Sequence, residues 1–212
     1  MNTGIGHTQD DILNLITGGA TRLALDDNSR ISLSNNDASG AVGTTLLGYN
    51  AGLSIVSGAI NNTFIGHGVS DATMTNAADH NVGVGYISLG ALTSGAQNTA
   101  VGSQSLLLNT EGNYNTAIGT DALGTNVDTD SNTAVGNAAG YNTKGAYNTY
   151  VGKSAGAGAS GAEANNVGVG SNASGSLTTG QSNVGQVLFK ILFCTIKKGA
   201  RIRAPFYAIV RA

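Results

Sequence analysis

A five-residue unit, ideally Asn-Thr-x-(Val/Ile)-Gly, recurs along the chain and constrains its fold more than any other feature. It appears as "TTLLG" (44–48), "NTFIG" (62–66), "NVGVG" (81–85), "NTAVG" (98–102), "NTAIG" (115–119), "NTAVG" (132–136), "NTYVG" (148–152) and "NVGVG" (166–170). The gaps between successive closing glycines are 18, 19, 17, 17, 17, 16 and 18 residues. Three residues after each of these glycines stands a small residue: Ala51, Val69, Ser88, Ser105, Ala122, Ala139, Ala155 and Ala173. Gly95, Gly112, Gly145 and Gly180 each precede a repeat asparagine by three residues. Repeats of this length mark architectures in which each unit leans on its neighbours.

Each apolar run holds only three to five residues, too few for a strand to stand alone. Stacking turn on turn removes the difficulty. Every strand then pairs with the turns above and below, and equivalent residues align at about 4.8 Å. Leu47, Ile65, Val84, Val101, Ile118, Val135, Val151 and Val169 then form an apolar stripe, and the asparagines can form an amide ladder. The fold class is therefore all-β, a parallel β-roll or β-solenoid of about 17-residue coils. Composition agrees: the chain has 32 glycines, one proline, no tryptophan and only 10% charged residues, against roughly 25% charged in ordinary globular chains. Disorder would share that composition, but it does not require an aliphatic residue in fixed phase eight times. One coil has few aliphatics, so association of several coils would bury a second face of each strand.

The repeat "N-(T/S)-x-(V/I)-G-x-x-(A/S)" resembles the head repeat of trimeric autotransporter adhesins. That resemblance implies a left-handed parallel β-roll assembled as a homotrimer. The longer phrase "NTAVGSQSLLLNTEGNYNTAIG" (98–119) is closer to repeats of bacteriophage tail fibres and other virion appendages. "ITGGATRLALDDNSRISLSNND" (16–37) also looks like the strand-rich segment preceding such repeats. The adhesin family carries a signal peptide, a coiled-coil stalk and a membrane barrel, and the chain shows none of these. The expected reading is thus a structural and adhesive fibre segment of a virion, serving host attachment. The alternative is the head of a bacterial surface adhesin binding host matrix or glycans.

Three regions follow. Residues 1–43 are a strand-rich lead-in, with a hairpin from Leu23 and Leu25 through a turn at 26–29 to Ile31 and Leu33; it would cap the first coil. Residues 44–186 are the solenoid, and Asn183-Val184-Gly185 opens a ninth copy. Residues 187–212 change language, with six of the ten Lys/Arg, the only proline and Cys194, and no asparagine or acidic residue. This tail reads as a basic amphipathic segment, as a terminal strand pair over the last coil, or as a change of reading frame in the source sequence. The abrupt loss of the repeat fits the last best. A single cysteine indicates no redox compartment. No stretch reaches the roughly 20 apolar residues of a membrane span, and the net charge of −2 gives no reason to expect nucleic acid.

The motifs that suggest chemistry dissolve into the repeat. "GVGSNA" (168–173) matches a dinucleotide fingerprint and "GVGYIS" (83–88) nearly does, but no βαβ unit surrounds either. "DTDSN" (128–132) opens like a calcium loop, yet Thr133 replaces the required glycine and Ala139 the bidentate glutamate, so an exposed polar loop is the default. His7, His67 and His80 lack zinc spacing. "NNT" (61–63) and "NAS" (172–174) fit the glycosylation sequon but are repeat residues. No catalytic constellation is present, so the expectation is a non-enzyme without cofactor or metal. Tyr86, Tyr114, Tyr141, Tyr147 and Tyr150 could offer glycan-stacking platforms or shield coil edges. Tyr114 and Tyr147 each precede a repeat asparagine and should share a face. Any partner beyond the chain's own copies would be a cell-surface glycan or protein, met on the variable arcs between strands, with binding residues unassigned.

Overall fold

The computed structural model describes the strand backbones 4–7, 13–17, 20–25 and 31–33, and residues 43–158, 164–175 and 182–186. The tail 187–212, Gly180 and the hairpin turn at 26–29 lie outside the described residues, as do the side chains on which a capping role for the lead-in would rest.

Four strands, β1 (Gly4–His7), β2 (Leu13–Thr17), β3 (Ala20–Leu25) and β4 (Ile31–Leu33), make an antiparallel sheet of their own. The expected hairpin is there: β3 pairs β4 with Leu23 opposite Leu33 and Leu25 opposite Ile31. Strand β1 was not expected from sequence.

Nine three-residue strands then form one parallel sheet in chain order: β5 (Thr45–Leu47), β6 (Thr63–Ile65), β7 (Val82–Val84), β8 (Thr99–Val101), β9 (Thr116–Ile118), β10 (Thr133–Val135), β11 (Thr149–Val151), β12 (Val167–Val169) and β13 (Val184–Gln186). Register is kept without a slip, so Thr99, Thr116 and Thr133 align, as do Val101, Ile118 and Val135. The described chain is a β-solenoid whose coil is the repeat. Pairing continues past the strands. Ser131 N donates to Asn113 O at 2.9 Å, Asp121 N to Ser103 O at 3.0 Å, and Thr125 N to Tyr141 O at 3.0 Å. Backbone groups that a loop would leave to solvent are thus satisfied by an adjacent coil.

Two columns hold the coils in phase. In the first, the backbone N–H of each repeat asparagine donates to the side-chain oxygen of the asparagine one coil earlier. This occurs at seven consecutive steps from Asn62 to Asn183, at 2.8–3.0 Å. Thr44 starts the ladder by offering Oγ1 to Asn62 N at 3.3 Å. In the second, the closing glycines hold φ of 121° to 136°. A Cβ on Gly119 would meet Gly136 O at 2.5 Å. Both the dihedral and the approach of adjacent backbones therefore demand glycine there.

The core lies elsewhere than on the expected stripe. Side chains alternate along a strand, and the buried asparagine fixes the parity. The middle strand residue shares its side: Phe64, Ala100, Ala117, Ala134 and Tyr150 are fully buried. The Val/Ile column points outward, with Leu47 56%, Ile118 41% and Val169 47% exposed. The remaining apolar core comes from the small residues three after the glycine, from Leu89, Leu106 and Leu123 one position later, and from Ala59, Met74, Ala78 and Leu92 on the arcs.

Candidate binding surface

With the interior spent on asparagine, alanine and leucine, any recognition falls to rows that run along the outside, one residue per coil. The first two share the outward face of the sheet, and three more lie on the turns and arcs.

The outward face of the nine-stranded sheet carries two columns. One is Thr45, Thr63, Val82, Thr99, Thr116, Thr133, Thr149, Val167 and Val184, and the other is the Leu/Ile/Val column from Leu47 to Val169. Neither contains a charge. A sheet with one packed face ordinarily turns polar residues outward, and here the outer column is aliphatic throughout.

A third row follows the closing glycines. Tyr49, His67 and Tyr86 stand on consecutive coils and stack, with ring centroids 5.3 Å and 5.5 Å apart and planes 26° and 27° from parallel. Sequence reasoning did not assign Tyr49 and His67 to a common row; their shared position directly after Gly48 and Gly66 was the available signal. These rings cover one another's faces.

A fourth row precedes the repeat asparagines: Asn61, His80, Gln97, Tyr114, Ser131, Tyr147, Asn165 and Ser182. All eight hold left-handed backbone, with φ between 56° and 62°. Tyr114 and Tyr147 do share a face, as expected, and are 58% and 62% exposed. Gln97 Nε2 donates to Tyr114 Oη at 3.3 Å, and Asn61 Nδ2 lies 3.1 Å from His80 Nε2. Tyr141 is exposed on the variable arc, where its ring covers Gly124. Tyr150, by contrast, is a core residue and offers no platform: it occupies a middle strand position and is buried.

The fifth row gives the Asp-rich arc its role. Asp79 Oδ1 accepts from Ile60 N at 2.9 Å, Asn113 Oδ1 from Ala96 N at 2.8 Å, and Asp130 Oδ1 from Asn113 N at 2.7 Å. Asp130 therefore serves as a rung between coils. Asp128 projects from the arc, exposed. No group of three or more His, Cys, Asp or Glu positioned for a metal ion occurs among the described residues. His7 lies on β1, apart in sequence from His67 and His80. "GVGSNA" and "GVGYIS" are a strand followed by a turn of the coil. The sequon residues Asn61 and Asn172 are exposed, at φ 57° and 58°. No helix among the described residues is long and apolar enough to cross a membrane. No protein family, curated protein or solved structure matches the chain.

Proposed function

We propose that this chain is a non-enzymatic fibre segment that works as a homotrimer in a tail fibre or other virion appendage and attaches it to a host surface. The observation that carries the reading is the uncharged outward face, whose Thr/Val column runs over nine strands and whose aliphatic column runs over eight, left outward by a single coil. Contiguous exposed apolar surface marks an association site. A surface that repeats at about 4.8 Å over roughly 38 Å is best matched by a second surface with the same period, which another copy of this chain supplies. The likeness of the repeat to phage fibres and trimeric adhesins supports three copies, and the left-handed winding it implies belongs to the same proposal.

The function is mechanical and multivalent. A stiff rod holds three copies of each outward row at fixed spacing, so weak contacts with a cell-surface glycan or protein add up to useful avidity. Sedimentation equilibrium tests the assembly. The expected mass is three times the 21.1 kDa of one chain; a monomer at micromolar concentration overturns it. A gene neighbourhood of secretion and anchoring functions, without tail genes, would overturn the virion assignment.

A further inference from the structure

The geometry points to a glycan-binding strip on the row preceding the repeat asparagines, built on Tyr114 and Tyr147 and shaped for an extended β-1,4-linked polysaccharide. The inference rests on the adhesive part of the reading above and names the chemical class of the receptor.

Gln97, Tyr114, Ser131, Tyr147 and Asn165 occupy five successive coils. Their φ values are 58°, 58°, 59°, 62° and 59°, so their Cα–Cβ bonds project alike. Backbone bonds hold the row in register: Tyr114 N to Ala96 O at 3.1 Å, Ser131 N to Asn113 O at 2.9 Å, Tyr147 N to Asp130 O at 3.1 Å and Asn165 N to Ala146 O at 3.1 Å. Aromatic and short polar residues therefore alternate along the rod. The two tyrosines stand about 9.6 Å apart, at two coil spacings of about 4.8 Å each. That is close to one disaccharide unit of an extended β-1,4-linked glycan. Alternate sugar rings can then lie on Tyr114 and Tyr147, with the ring between them over Ser131.

Such sugars suit the site chemically. Their equatorial substituents leave axial C–H groups on the ring faces, and these pack against an aromatic face while hydroxyls point sideways. Gln97 and Asn165 flank the pair. Asp130 commits Oδ1 to Asn113, which leaves Oδ2 to accept from a sugar hydroxyl.

The row after the closing glycines provides the contrast. Tyr49, His67 and Tyr86 are contiguous, so His67 lies between two rings and Tyr49 and Tyr86 each give one face to it. Ser131 keeps Tyr114 and Tyr147 from stacking in this way. Nor does the fold need these rings. Both are mostly exposed, and left-handed backbone favours asparagine over tyrosine, as the same row uses at Asn61 and Asn165.

The test is calorimetric titration of the full chain with cellohexaose, with the hexamer of β-1,4-linked N-acetylglucosamine, and with maltohexaose as the α-linked control. At least one β-linked hexamer should bind roughly tenfold tighter than maltohexaose. Tyr114→Asn and Tyr147→Asn should each weaken that binding roughly tenfold, while Tyr114→Phe and Tyr49→Asn leave it within about threefold. Failure of both β-linked hexamers to bind, equal binding of maltohexaose, or unchanged binding by the Tyr114→Asn/Tyr147→Asn double variant overturns the strip. Sedimentation of the same samples separates the two readings. A trimer that binds no hexamer removes the strip and leaves the fibre; a monomer that binds through both tyrosines does the reverse.

Discussion

Gly119 and Asn98 show how much of the solenoid rests on single atoms repeated. At Gly119, φ is 130° and an added Cβ would press on Gly136 O at 2.5 Å. Backbone of the next coil cannot yield as a side chain can. Gly119→Ala should therefore lower stability by about 2 kcal/mol or more. Gly175→Ala should cost less than about 1 kcal/mol, since its nearest obstacle is Asn172 O at 3.2 Å and its φ is not in the left-handed region. Urea titrations of the two variants compare them, and equal midpoints would contradict the account. Asn98 is buried and joins three partners: it accepts from Asn115 N at 2.9 Å and donates through Nδ2 to Asn81 Oδ1 at 3.1 Å and Gly112 O at 2.8 Å. Asn98→Ala leaves the buried Asn115 N–H without its acceptor, while Gly112 O keeps Asn109 Nδ2 at 3.0 Å, a loss of about 1–3 kcal/mol. Asn98→Thr should recover part of it, because Thr44 already plays the acceptor at the head of the ladder. Identical denaturation curves for the two Asn98 variants would argue against hydrogen bonding as the cause. Both columns were legible in the sequence, because each needs one residue type at one phase.

At the scale of the element, a large residue in the middle of a strand is matched by a small one six positions on, beyond the turn. Ala100 is followed six residues on by Leu106, and Ala117 by Leu123, all four fully buried. Where the strand carries Phe64 or Tyr150, the partner position holds Ser70 or Gly156, and the next strand has Gly83 or Gly168 in the middle. A Cβ on Gly156 would strike the Tyr150 ring at 2.5 Å, and one on Gly83 would approach Phe64 and Leu89 at 3.3 Å. Tyr150→Ala should cost about 3–5 kcal/mol as a cavity. Gly156→Leu alone should cost about 1–3 kcal/mol by overpacking. Together they recreate the Ala117/Leu123 pairing, whose leucine also holds left-handed backbone at φ 49°. The double variant should thus be more stable than the two losses added, with a coupling of at least about 1 kcal/mol in denaturant unfolding; strict additivity would refute the compensation. The repeat length and strand positions were readable in advance. The side of the strand that faces inward was not, because three residues give a single alternation and the aliphatic column is the natural candidate for a core. The signal was parity: asparagine and the middle residue are two apart, so a buried amide ladder brings the middle residue inside and sends Thr and Val/Ile out. Tyr150 was misjudged for the same reason, since it occupies the middle position.

For the whole molecule, that parity turns a core question into one of assembly. Coils that contact only their neighbours make a quasi-one-dimensional body, and what grows with its length is the outward sheet face. If that face is the seam between copies, a charge placed on it enters the assembly once per chain and meets its symmetry mates. Ile118→Lys tests this. In one chain Ile118 is 41% exposed, so a flexible lysine costs the isolated coil little. In a trimer three ammonium groups would be brought together away from water, which neither desolvation nor like-charge repulsion permits. The variant should keep the wild-type far-ultraviolet circular dichroism and sediment as a monomer at concentrations where the wild type is trimeric. Val127→Lys, on the variable arc and 46% exposed, introduces the same charge off the sheet and should leave the mass unchanged. A wild-type mass retained by Ile118→Lys would place the seam elsewhere. A trimer lost in both variants would trace the effect to charge in general. Only loss confined to Ile118→Lys makes the Thr/aliphatic face the surface that joins the copies.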